Sequence, residues 1–123
     1  MILVDTSVWI EHVRRANEKL GALLGAGEVL VHPFVIGELA LGHLRSREAI
    51  LQDLHDLPPA AVATRDEVLH LIERHRLFGL GIGYVDVHLL AAARLMGHTA
   101  VWTYDRRLRA AAEKLELAHD PRP

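Results

Sequence analysis

The chain contains no cysteine, which excludes a disulfide framework, a thiolate metal site and a thiol nucleophile. Lysine is scarce. Of the 14 basic residues only Lys19 and Lys114 are lysines, and the arginines that replace them are better suited to forked phosphate contacts. A large charge of one sign is also missing: the formal net charge is −2 over 123 residues, so the total does not announce a nucleic-acid binder. Long apolar runs are absent as well. The opening Ile2-Leu3-Val4 stops at Asp5, with no basic stretch before it, and reads as neither a signal peptide nor a membrane span. The expected location is a reducing cytoplasm. No internal repeat, low-complexity stretch or linker interrupts the chain.

What is present is ordinary globular material. Residues are 50% hydrophobic and 24% charged, and the length suits one domain over residues 1–123. Ile2-Leu3-Val4 reads as a buried strand, followed by a helix to about Arg15 and a second helix that Gly25 and Gly27 end. A strand is expected over residues 28–32. Pro33 then suits a first helical position, and a helix from Phe34 to Leu44 follows. Further helices are expected over residues 46–54, 65–77, 84–96 and 106–115. Strands are expected over 100–102 and, briefly, over 60–63 and 116–118. Pro121 and Pro123 mark a loose tail. Strands alternating with helices imply an α/β sandwich around a parallel sheet, whose sites lie beyond the carboxyl ends of the strands.

That rule selects among the 16 acidic residues. Glu11, Glu18, Glu48, Glu67, Glu73 and Glu113 have polar or basic neighbours and read as solvated surface. Asp5 ends the first strand, and Asp105 follows Ala100-Val101-Trp102 at the same edge of another. Glu38 lies in the apolar stretch Pro33 to Leu41, and Asp86 stands one turn into the most hydrophobic helix, beside Val85, Val87, Leu89 and Leu90. Taken singly, each has a structural reading. Asp5 and Asp105 can cap the helices that follow them, Glu38 can pair with an arginine, and Asp86 can favour its helix N-terminus. Taken together, they can converge on one cleft.

Two like charges about 4 Å apart repel by roughly 4 kcal/mol at an effective dielectric near 20. Several such pairs are comparable to the whole ~5–15 kcal/mol stability of a domain, so protonation or a divalent cation must relieve them. All-oxygen ligation favours Mg²⁺ or Mn²⁺ over zinc, and such ions suit phosphodiester hydrolysis.

The chain resembles the PIN-domain family, most closely the VapC-type toxins of prokaryotic toxin–antitoxin pairs. Four stretches carry the likeness: Leu3-Val4-Asp5-Thr6-Ser7-Val8-Trp9-Ile10, Val35-Ile36-Gly37-Glu38-Leu39, the run from Gly81 to Ala93 around Asp86, and Val101-Trp102-Thr103-Tyr104-Asp105-Arg106-Arg107-Leu108. The resemblance implies a three-layer sandwich with a central parallel sheet of four to five strands flanked by helices. It implies a metal-dependent endoribonuclease with Asp5, Glu38, Asp86 and Asp105 as catalytic acids, and Asp5, Asp86 and Asp105 as ligands of Mg²⁺ or Mn²⁺. Thr6 and Thr103, ranked above Ser7, would orient carboxylates or waters. An RNA substrate, a homodimer and a cognate antitoxin are implied with them.

Other readings compete. A PIN fold that only grips a partner would carry the same acids. An Asp-based phosphotransfer domain is disfavoured: a dehalogenase-like phosphatase needs Asp where Ser7 stands, and a receiver needs a late strand-end lysine, whereas Lys19 and Lys114 fall in helices. The nine histidines read as structural or solvated. His88, two residues past Asp86 at a position small or apolar in the family, is expected on a helix surface, with His32 the other one able to reach substrate. Gly79 to Gly83 reads as a flexible lead-in to the next helix, and Trp9 and Trp102 as core or dimer contacts. Arg106 and Arg107 can contact RNA phosphate or form surface salt bridges.

Overall fold

The computed structural model describes residues 1–121, so Pro123 lies outside the described residues. Strand β1 (Ile2–Val4) is followed by helices α1 (Thr6–Arg14) and α2 (Glu18–Gly25), then β2 (Val29–Leu30). Helices α3 (Pro33–Ala40), α4 (Arg47–His55), α5 (Arg65–His75) and α6 (Tyr84–Met96) come next, and β3 (Ala100–Trp102) precedes α7 (Arg106–Lys114). The sheet is parallel, in the order β2-β1-β3, with Leu3 facing Leu30 on one side and Val101 on the other.

Among the described residues three strands stand where four to five were expected. The expected strand over 60–63 is reduced to a single bridge between Val31 and Pro59, and that over 116–118 to one between Val101 and Ala118. The first shortfall follows from Pro58-Pro59, which supplies no N–H to a ladder. Only Val31 N to Pro58 O and Ala60 N to Val31 O are made, and Ala61 N turns instead to the sulfur of Met96. The second follows from Glu116, whose φ of 60° kinks the chain just before it reaches the sheet edge.

The helix ends also have local causes. Helix α3 stops at Ala40, short of the expected Leu44, and the Arg47 guanidinium takes the Ala40 carbonyl left without a helical partner, through Nη2 (2.8 Å) and Nε (3.2 Å). Helix α5 opens on a capping box between Thr64 and Glu67. It ends at His75 because Arg76 turns left-handed at φ 55°.

Seven consecutive residues of α6, Val87 to Ala93, are buried, so the middle of this helix is enclosed on all sides. With Leu3, Val4, Val8, Leu20, Val101, Trp102 and Leu108 it forms one hydrophobic core. Trp9 and Trp102 are both buried in it, which assigns them to packing within the chain. His88 is buried as well, contrary to the surface position expected for it. Its ring packs edge-on against Phe34 at 4.7 Å, drawing α6 against the start of α3, and against Tyr84 at 4.8 Å on its own helix. Among the described residues no helix is long and apolar enough to cross a membrane.

Candidate active site

Parallel pairing puts the carboxyl ends of β1 and β3 side by side, and Asp5 N donates to Trp102 O at 2.9 Å to join them. Asp5 occupies the N-cap position of α1, yet its side chain makes no capping bond. Its Oδ2 instead accepts from the hydroxyls of Thr103 (2.7 Å) and Ser7 (2.8 Å), and the residue is only 6% exposed. These hydroxyls are themselves fixed by the backbone that follows β3. Tyr104 N donates to Ser7 Oγ at 3.1 Å, and Asp105 N to Thr103 Oγ1 at 2.9 Å.

The other acids are held differently. Asp105 is exposed and caps α7, its Oδ1 accepting from the N–H groups of Arg107 and Leu108. Asp86 is half-buried in the first turn of α6, and its Oδ2 accepts from Gly83 N at 3.0 Å. Glu38 reaches α1, where Thr6 Oγ1 donates to its Oε1 at 2.7 Å. Although its sequence neighbours are apolar, Glu38 is exposed, because Val35 and Leu39 turn into the core and Glu38 does not share their burial.

One pattern runs through all four. Asp5, Glu38, Asp86 and Asp105 are each pinned through a single carboxylate oxygen, and the other oxygen accepts no hydrogen bond within the described residues. None is paired with a guanidinium, ammonium or imidazole there; the ion pairs found are Arg65–Asp66, Arg109–Glu113 and Arg109–Asp120. The acids nevertheless sense one another. Burial raises the Asp86 carboxyl above the usual range, the Gly83 N–H opposes this, and Asp5, Asp105 and Glu38 each push it further up.

A PIN domain profile matches residues 2–114. The chain belongs to the PIN-domain family. Two curated relatives, each called Ribonuclease VapC32 and from two strains of Mycobacterium tuberculosis (CDC 1551 / Oshkosh and ATCC 25618 / H37Rv), are 50% identical to it over 118 residues. Those alignments cover 96% of this chain and 95% of the relatives, so the VapC-type likeness extends over nearly the whole length. The fold recurs in solved structures. FitAB bound to an IR36 DNA fragment matches at a TM-score of 0.65 and 18% identity, covering 98% of this chain and 95% of that one. FitAcB from Neisseria gonorrhoeae matches at 0.65 and 21% identity, covering 98% of each chain.

A PIN domain of this kind calls for a hard divalent cation, and the donor chemistry here fits one. Four carboxylates offer free oxygens with no sulfur or nitrogen donor among them. Among the described residues no three acid or imidazole side chains are already arranged to grip an ion as they stand. The pocket is thus formed of anchored carboxylates with one oxygen each to give, not of a closed cage.

Two features of the structure were poorly visible in the sequence. Ser7 had been ranked below Thr6 and Thr103, yet it bonds Asp5 and the Tyr104 backbone at once. A hydroxyl two residues after an acid at a helix start was the available signal. The second is the ring cluster of His32, Phe34, Tyr84 and His88. Burial and then the nearby His88 push His32 down to about 4, and burial lowers His88 too. His32 Nδ1 accepts from Phe34 N, which puts its proton on the buried, unpartnered Nε2. Arg106 and Arg107 form no ion pair within the described residues, so surface salt bridging does not account for them.

Proposed function

We propose that the chain is a metal-dependent endoribonuclease of the VapC toxin type, cutting internal phosphodiesters of RNA at the Asp5–Glu38–Asp86–Asp105 pocket. One observation carries this reading: each acid is anchored through one oxygen and free at the other, with no cation of the described residues paired to any of them. The half-identical relatives called ribonuclease support the choice of RNA as substrate.

When bound, Mg²⁺ or Mn²⁺ supplies an activated water and neutralises charge on the phosphate in the transition state. Asp5, Asp86 and Asp105 would hold it through their free oxygens. The Thr103 and Ser7 hydroxyls keep the Asp5 carboxylate in one orientation, and Gly83 N does the same for Asp86. Glu38, exposed and steadied by Thr6, would take a proton from the attacking water. A cognate antitoxin and a second copy of the chain are the protein partners in this reading. Exposed apolar side chains such as Leu41, Leu69, Leu95 and Tyr84 offer them surface.

The test incubates the purified chain with RNA in Mg²⁺, in Mn²⁺ and in EDTA. Cleavage in either ion, its loss in EDTA, and its loss in Asp5→Asn and Asp86→Asn are expected. Cleavage that survives both substitutions would falsify the proposal.

A further inference from the structure

Arg107, Ala110, Ala111 and Lys114 recur at three-, four- and seven-residue spacing and share one face of α7. With Leu80 and Arg106 they line a trough of about 580 Å³. Its floor is alanine and its ends are cationic. Arg107 stands at the end beside Asp105, and Lys114 lies seven residues on, roughly 10 Å along the helix axis.

One end of the trough is tied to the elements that carry Asp86 and Asp105: Arg107 N donates to Asp105 Oδ1 at 2.9 Å. Arg107 lies across Gly81, so closely that a Cβ on Gly81 would stand 2.8 Å from Nη1 and 2.9 Å from Cδ. Gly81 belongs to the loop whose Gly83 N–H holds Asp86. At the other end Lys114 Nζ donates to His75 O at 2.7 Å, which fixes the ammonium and leaves its remaining donors available. His75 is pushed below its usual value by burial and then by Arg94, Arg74, Lys114 and His70, so the Lys114 ammonium has other cations near it.

The one acid within α7 is Glu113. Here Glu113 goes to Arg109, and within the described residues Arg106, Arg107 and Lys114 have no acid partner. Four gathered carboxylates repel RNA, and a cationic track leading into them offsets that repulsion. We propose that the α7 trough is the subsite for the RNA backbone next to the reaction centre. Arg107 holds a phosphate beside the scissile one, Lys114 one further along, and Arg106 stands at the rim. The alanine floor admits the backbone and presents nothing that reads a base edge, so this contact is independent of RNA sequence. The inference rests on the ribonuclease reading above.

The experiment measures binding of a short, labelled, mixed-sequence single-stranded RNA to the full chain by fluorescence anisotropy. It is run in EDTA over a KCl series, with cleavage of the same RNA followed separately in Mn²⁺. Each phosphate contact on a single strand contributes about 0.7 to the slope of log affinity against log salt. Lys114→Gln is therefore expected to lower that slope by about 0.7 and weaken binding about five-fold at 0.1 M salt. Lys114→Arg is expected to restore both, and Arg107→Gln to behave like Lys114→Gln. Ala110→Glu, which sets a carboxylate in the trough and leaves both cations in place, is expected to weaken binding too. Wild-type affinity and slope in all the charge-removing variants, from a chain that binds and cleaves RNA, overturn the trough alone. A wild-type chain that neither binds nor cleaves overturns the trough and the ribonuclease reading together. Weakened capture of a poly-glutamate peptide with an unchanged RNA slope assigns the trough to an acidic protein segment and overturns it as well.

Discussion

Thr103→Val isolates the role of the hydroxyls under the first acid. Thr103 is 4% exposed, and its Oγ1 donates to Asp5 Oδ2 at 2.7 Å, accepts from Asp105 N at 2.9 Å and lies 3.4 Å from the Ser7 hydroxyl. Valine replaces the hydroxyl with a methyl of similar size, so no cavity opens and the change is in polarity alone. A bond to a charged acceptor contributes about 1.5–3 kcal/mol, and leaving the Asp105 N–H unpaired costs roughly 1 kcal/mol more. A loss of about 3 kcal/mol is expected, a large part of the ~5–15 kcal/mol that holds a domain together. In urea this moves the midpoint down by about 1–2 M with the slope unchanged. Thr103→Ser keeps the hydroxyl and removes one buried methyl, worth about 1 kcal/mol. Asp5 then rests on Ser7 alone in the valine variant, and Mn²⁺ affinity by calorimetry should fall about 10- to 100-fold, with serine close to wild type. Equal destabilisation by valine and serine, together with unaltered Mn²⁺ affinity, would refute the idea that this hydroxyl holds the carboxylate in place.

The other predictions concern protons and backbone. Because the folded-state pKa of Asp86 is raised, its contribution to stability is lost as pH rises through that value. Asp86→Asn should therefore make the chain more stable than wild type near neutral pH in EDTA and remove the stabilisation that added Mg²⁺ gives, read from thermal melts. His32 shifts the opposite way, from 6.5 to about 4, so between those values the unfolded chain binds the extra proton and stability falls as pH falls. The loss approaches roughly 3 kcal/mol; His32→Asn, which retains an acceptor for Phe34 N, should flatten that stretch of the pH–stability curve in urea titrations. Gly81→Ala places a Cβ against Arg107 at a backbone φ of +77°, and should cost about 1 kcal/mol in stability while displacing the guanidinium. RNA affinity by anisotropy should then fall as in Arg107→Gln.

Much of the fold was legible because its signals are local. The apolar Ile2-Leu3-Val4 run forms the central strand, and Pro33 opens α3. Where neighbours in space intervene, local signals ran short. One proline pair and a left-handed Glu116 reduced two expected strands to bridges, Arg47 took the Ala40 carbonyl where α3 was expected to continue, and packing of Phe34 on His88 buried a histidine that a helix surface could have carried.

The candidate site divides in the same way. Asp5 and Asp105 at strand ends, and Asp86 early in its helix, follow from periodicity and chain order alone, because an acid just after an apolar strand lies at the sheet edge wherever the rest packs. Which oxygen each acid spends is another matter. The bond from Thr103 to Asp5 joins residues 98 apart in the chain, and the one from Thr6 to Glu38 joins residues 32 apart. Hydrogen bonds extend only about 3 Å, so contacts across such separations exist once the strands are paired and the helices docked. The same packing lays Arg107 over Gly81 and leaves Arg106, Arg107 and Lys114 without an acid partner among the described residues, a distribution of charge that composition could not express.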